Sequence, residues 1–238
     1  MALQRPPLAL LILLLFCSLH SSVAAGPGQP AETCSAGDGA ADCAPVATEL
    51  ELRAALAAGG ADTVVVKAGV RIELTGNYLE ISRAVRIVGE DGGDGGALPA
   101  IVGAAGSHVL VISGAGGGVA VQLEGLRIEG RGSEFGSAIY CKKGASLVAV
   151  RCEVAGNKAS FRDAGTRAEL RECKVFGSKG RGLYVVNGAY VVVEGGTVSG
   201  CSGIGVYAHG NGSGATVKVR TTALPCCSLL PSLCFSLL

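Results

Sequence analysis

Between Ala138 and Arg220 apolar and polar positions alternate in short runs, and the runs recur. Three segments beginning at Gly144, Gly165 and Gly188 read GASLVAVRCEVAGN, GTRAELRECKVFGS and GAYVVVEGGTVSGC. Leu147 and Ala149, Ala168 and Leu170, and Val191 and Val193 fall on one side of a two-residue period, with Glu169, Arg171 and Glu194 on the other. That period belongs to a half-buried strand. The closing Val154, Val175 and Val198 correspond, as do Gly156, Gly177 and Gly200, at steps of 21 and 23 residues. An upstream copy, VAVQLEGLRIEG, closes at Ile128 and Gly130, 26 residues earlier, and ATVKV from Ala215 to Val219 opens another.

A repeat of 20-odd residues predicts a solenoid. No segment with helical period lies between the strands, so each strand must return to the same register one turn later and pair in parallel. The expectation is an all-β, right-handed parallel β-helix with coils of about 21–26 residues. Glycine and asparagine at the corners supply the left-handed conformations that tight corners require, which accounts for 38 glycines without invoking disorder. Over residues 48–220 the pattern resembles the β-helix repeats of the pectin-lyase-like superfamily. The resemblance implies the fold. It leaves the activity open, because the superfamily includes lyases, hydrolases, epimerases and non-catalytic surface proteins.

One segment reads as a helix. Thr48-Glu49-Leu50-Glu51 is a capping box, Leu52, Ala55 and Leu56 form an apolar stripe, and Gly59 stands where a helix stops. The order of helix, strand, Gly turn and further strands resembles the N-terminal cap of that superfamily, which would cover core and unpaired edge. The β-helix domain is therefore expected over residues 47–220. Residues 1–25 read as a secretory signal: Arg5 precedes an apolar core from Leu8 to Leu19, and Val23-Ala24-Ala25 fits cleavage between Ala25 and Gly26. A membrane anchor is the competing reading. Residues 26–46 form a polar linker whose Cys34 and Cys43 are expected to bridge in an oxidising compartment, with free thiols or other pairings as alternatives.

Residues 221–238, TTALPCCSLLPSLCFSLL, abandon the pattern. Three readings compete: a lipid-anchor signal, a palmitoylated tail, or a stretch foreign to the natural protein. On the last reading the solenoid is longer and 47–220 is truncated. The expected mature protein is secreted or held at the cell surface, with no transmembrane helix. A net charge of +1 gives no argument for nucleic acid.

Candidate chemistry is sparse. Tyr140, Phe161, Tyr184 and Tyr207 lie 21, 23 and 23 residues apart, each four residues ahead of the next Gly or Asn corner. Facing outward they make a platform for sugar rings; facing inward they are core. Arg162, Asp163, Lys142 and His209 are candidates for an acid and a base on neighbouring coils, against the reading of a solvated charged face. The resemblance implies clustered carboxylates, and these are lacking: there are six Asp (38, 42, 62, 91, 94 and 163) and no Asp-Asp pair. Glu90, Asp91 and Asp94 lie in a Gly-rich insertion, which reads as a solvated loop rather than a calcium cage. No other cofactor is expected. Cys152 and Cys173 share an inward slot, read as a thiol ladder or a disulfide; Cys141 and Cys201 have no evident partner. Asn211 opens the single glycosylation sequon. The leading expectation is a β-helix that binds polysaccharide without catalysis. The alternatives are a polysaccharide lyase, hydrolase or epimerase with an incomplete site in this chain, and a structural wall or matrix protein.

Overall fold

A computed structural model of the chain describes residues 43–93, 96–114, 118–210 and 214–220. The chain opens with β1 (Cys43–Val46) and α1 (Glu49–Leu56), then β2 (Thr63–Val66), β3 (Arg71–Glu73) and β4 (Leu79–Ile81). There follow β5 (Val85–Gly89), β6 (Ala100–Val102) and β7 (Leu110–Ser113), then β8 (Ala120–Glu124), β9 (Arg127–Glu129) and β10 (Ser137–Lys142). Next come β11 (Ser146–Val150), β12 (Glu153–Ala155) and β13 (Lys158–Arg162), then β14 (Arg167–Arg171), β15 (Lys174–Phe176) and β16 (Leu183–Val186). The last are β17 (Tyr190–Glu194), β18 (Thr197–Ser199), β19 (Val206–His209) and β20 (Thr216–Arg220).

Every third strand pairs in parallel with its counterpart one coil away. Three sheets result: an eight-stranded sheet β1-β2-β5-β8-β11-β14-β17-β20, and six-stranded sheets β3-β6-β9-β12-β15-β18 and β4-β7-β10-β13-β16-β19. The expected parallel β-helix is the observed fold. Cys43–Val46, assigned to the linker on sequence, is already a strand, paired to β2 from Cys43↔Thr63 to Val46↔Val66.

The two-residue period does what it predicted. In β11, β14 and β17 Leu147 and Ala149, Ala168 and Leu170, and Val191 and Val193 are buried, and the residues between them face outward. The rows stay in register from Val121↔Leu147↔Ala168↔Val191 onward to Val217. The inner rows fill the tube with Leu123, Leu126, Ile128, Ile112 and Phe161, all fully buried. Each such side chain stabilises the fold by about 1.5–3 kcal/mol relative to exposure.

Helix α1 closes the N-terminal end. The Thr48 Oγ1 accepts from Glu51 N at 3.3 Å, and Glu51 Oε2 accepts from Thr48 N at 3.1 Å, so the capping box is formed. Leu52, Ala55 and Leu56 are buried. At the other end Arg83 donates to Ala55 O at 2.8 Å and to Ala57 O at 3.2 Å, supplying donors that the helix's last carbonyls lack.

Corners are where the sequence is most constrained. Between the first and second sheets one residue turns the chain with positive φ at Gly125 (60°), Arg151 (50°) and Glu172 (54°), and two do so in the last coil, Gly195 (65°) and Gly196 (78°). Between the second and third sheets one corner glycine, Gly156, also lies against the coil before it. Gly156 has φ 73°, and a Cβ there would stand 2.1 Å from Gly130 O. Gly144, at the next corner, has φ 76° but open space around it. Gly144→Ala should therefore cost about 1–2 kcal/mol, the conformational penalty alone. Gly156→Ala should cost distinctly more, because a backbone oxygen must also move. Urea unfolding of the two variants checks this, and equal losses would refute it.

Candidate ligand-binding face

The outer surfaces of the three sheets differ in how their charges are treated. On the first sheet Arg86 and Arg151 bind Glu124 at 2.8 and 2.6 Å, and Arg171 and Arg220 bind Glu169 and Glu194 at 2.8 and 2.7 Å. On the second sheet Arg71 and Arg127 bind Glu129 at 3.1 and 2.9 Å, Lys174 binds Glu153 at 3.2 Å, and Arg131 binds Glu73. The third sheet carries Lys142, Lys158 and Arg162, with Arg181 just ahead of β16, and among the described residues none has a carboxylate within ion-pair distance.

Aromatic rings lie among these cations, in two groups. His108 stacks on Tyr140 with centroids 4.8 Å apart, and Tyr78 meets His108 edge-on at 6.1 Å. Tyr184 stacks on Tyr207 at 5.3 Å, with His209 tilted beside Tyr207 at 6.2 Å. Arg181 lies over both tyrosines, 4.8 and 4.3 Å from their centroids, and Lys142 lies 5.1 Å from the Tyr140 centroid. Tyr140, Tyr184 and Tyr207 are half-buried.

Phe161 is not part of this surface. It is fully buried, in the row Cys141↔Phe161↔Val185, and the register partner of Tyr140 and Tyr184 is Ser160. The reason is local. Three residues separate Lys142 from Ser146 across the corner, but four separate its counterpart Arg162 from Arg167. Spacing counted back from the corner glycine is therefore one residue out in this coil, and one residue flips a side chain to the other face. The expected run of four aromatic rungs is thus broken by Ser160, whose Oγ lies 2.9 Å from Ser137 Oγ. Sequence spacing missed His108, Tyr78 and Arg181, because all three precede their strands and lie outside the regular rungs.

The four acid–base candidates do not converge. Asp163 has φ 75°, and its Oδ2 accepts from Lys143 N at 3.2 Å, which makes it a corner residue. Arg162 donates to the Tyr140 hydroxyl at 3.3 Å, beside Lys142. Arg162, Val186 and His209 occupy one register position in successive coils, so His209 stands two rungs from Arg162, roughly 10 Å. Among the described residues no three His, Cys, Asp or Glu are placed to hold a metal ion. Glu90 of the calcium candidate instead accepts from Ala68 N at 3.0 Å, and Asp94 lies outside the described residues. Asn211, Cys34, the Ala25–Gly26 cleavage position and residues 221–238 also lie outside them. No helix among the described residues is long and apolar enough to cross a membrane.

The comparison with known families agrees with the architecture. The family described as "Right handed beta helix region" matches residues 103–221, half of the chain. The chain belongs to the right-handed β-helix family. No curated protein matches it, and no solved structure does.

Two measurements test the placement of side chains in this β-helix. Phe161→Ala should lose about 3–5 kcal/mol of stability in denaturant, as a core deletion does. His108 gives a pH signature. Burial, followed by the Lys158 and Lys142 charges, lowers its pKa below the ordinary 6.5. Its Nδ1 accepts from Ser137 N at 3.0 Å, so the neutral ring carries its proton on Nε2. In the unfolded chain the ring takes up a proton as pH falls through about 6.5, while the folded ring resists. Its contribution to stability is therefore full above that pH and is lost as pH falls towards the lower folded pKa. The urea midpoint should drop between pH 7.5 and 5.5, and His108→Gln should flatten part of that drop. An unchanged slope in the variant would show the ring to be solvated.

Proposed function

We propose that this chain is a secreted or cell-surface β-helix that binds polysaccharide, without catalysis, on the outer face of its third sheet. The observation that supports the reading most is the Tyr184–Tyr207 stack beneath Arg181, with Lys158 also beside Tyr184. Stacked phenol rings offer apolar surface to the flat faces of sugars, and the surrounding cations offer donors to hydroxyl or carboxylate oxygens. Because the rings are fixed to consecutive rungs of one sheet, little conformational entropy is lost when a chain molecule lies across them. The signal-like residues 1–25 support export.

The test is retention of the purified protein on pectate- and alginate-coupled columns. Tyr184→Ala combined with Tyr207→Ala should weaken binding by about tenfold, on the scale of aromatic stacking, with little change in melting. Retention unaltered in that variant would remove this face as the binding site. Release of unsaturated or reducing ends from either polymer would overturn the non-catalytic reading.

A further inference from the structure

The single-residue corner between the first and second sheets turns the next side chain into the core, and successive coils stack those positions in one file. The ladder bonds Glu153 N to Leu126 O, Lys174 N to Cys152 O and Thr197 N to Cys173 O, all 2.9 Å, define the file as Leu126, Cys152, Cys173, Gly196. Cys152 and Cys173 are 1% and 2% exposed, in neighbouring positions of this inward file. Each also donates to carbonyls of its own wall, Cys152 to Val150 O at 3.4 Å and Cys173 to Arg171 O at 3.3 Å and Ala149 O at 3.4 Å. Neighbouring strands of a ladder run about 4.8 Å apart, inside the span of about 4.4–6.8 Å over which a disulfide joins two Cα atoms. Within the file neither Leu126 nor Gly196 carries sulfur, so each thiol faces one other.

One member of the pair borders a cavity. A cavity of about 370 Å³ opens between Leu98 and the corner, and Cys152 forms part of its wall. Arg127, Arg151 and Lys174 line the same cavity together with Glu153 and Glu172, so its wall carries both signs of charge.

We propose that Cys152 and Cys173 form a redox pair that closes into a coil-to-coil disulfide by exchange with a small disulfide such as glutathione disulfide. The Cys152 sulfur, having given up its proton, attacks one sulfur of the oxidant. The oxidant's S–S bond breaks and its first thiolate leaves, taking up that proton. The Cys173 sulfur then attacks Cys152 in the mixed disulfide, and the second thiolate leaves with the Cys173 proton. Two electrons pass from the protein to the oxidant, which is reduced to two thiols. The new bond ties adjacent coils across a loop of about 20 residues, and cross-links of that span shift the folding equilibrium by roughly a hundredfold.

The experiment uses the full chain, purified reduced, equilibrated natively in glutathione redox buffers, quenched by alkylation and digested with trypsin without reduction. The expected product joins the peptides CEVAGNK, carrying Cys152, and ECK, carrying Cys173. It should be accompanied by roughly a hundredfold gain in the folding equilibrium that dithiothreitol reverses. In Cys173→Ala the reaction should stop with glutathione on Cys152. If both thiols stay alkylatable in oxidised buffer, even after unfolding and refolding in it, the proposal is wrong. Linkage of either to another cysteine overturns it equally, and the wild-type peptide map decides this whether or not the variant folds.

Discussion

The structure depends on one constraint: each coil must lie on the last in strict register, because its strands have no partners except those of the coils above and below. A parallel ladder leaves no freedom to slide when one face is buried, since a one-residue slip would turn the apolar row outward. Irregularity is therefore pushed into the corners. The long insertion between Glu90 and Leu98 lies between β5 and β6, while β5 still pairs with β2 and β8 on either side of it. The same constraint repeats every side chain's angular position from coil to coil. Whatever sits at one position must tolerate its counterparts about 4.8 Å away on both sides.

That repetition is why the fold was legible and part of the surface was not. Val154, Val175 and Val198 align in sequence because they align in space, and the same holds for the glycines two residues later. The capping box at Thr48 is a local signal and could be read locally. Phe161 was misplaced because a corner one residue longer after β13 leaves no mark in the alternation of a five-residue strand. Its own coil held the correction: Ala159 and Phe161 are the apolar residues of β13, and both are buried. His108 was invisible for another reason. It reaches the Tyr140 ring from a position before β7, through a hydrogen bond to the Ser137 amide, and no spacing rule encodes that contact.

Register also explains the charges. Where like charges would stack, a solenoid gains by alternating their sign along a row, as Arg127, Glu153 and Lys174 do on the second sheet and Arg171, Glu194 and Arg220 do on the first. Single exposed pairs of this kind are worth little, about 0–1 kcal/mol. Their regularity says instead that the two surfaces have been neutralised position by position.

The third sheet departs from this. Lys158 is half-buried next to Arg181 and Arg162, and burial together with those two charges lowers its pKa below the ordinary lysine value. Lys158 Nζ donates to Glu134 O at 2.6 Å and the Glu134 charge favours its protonated form, but burial, Arg181 and Arg162 outweigh it. The Nε of Arg162 is buried with no hydrogen-bond partner among the described residues. Such an arrangement destabilises the folded chain relative to the neutralised pattern on the other two faces. The third sheet is thus the face whose cations lack carboxylate partners among the described residues, and it is the face on which the proposal places a ligand.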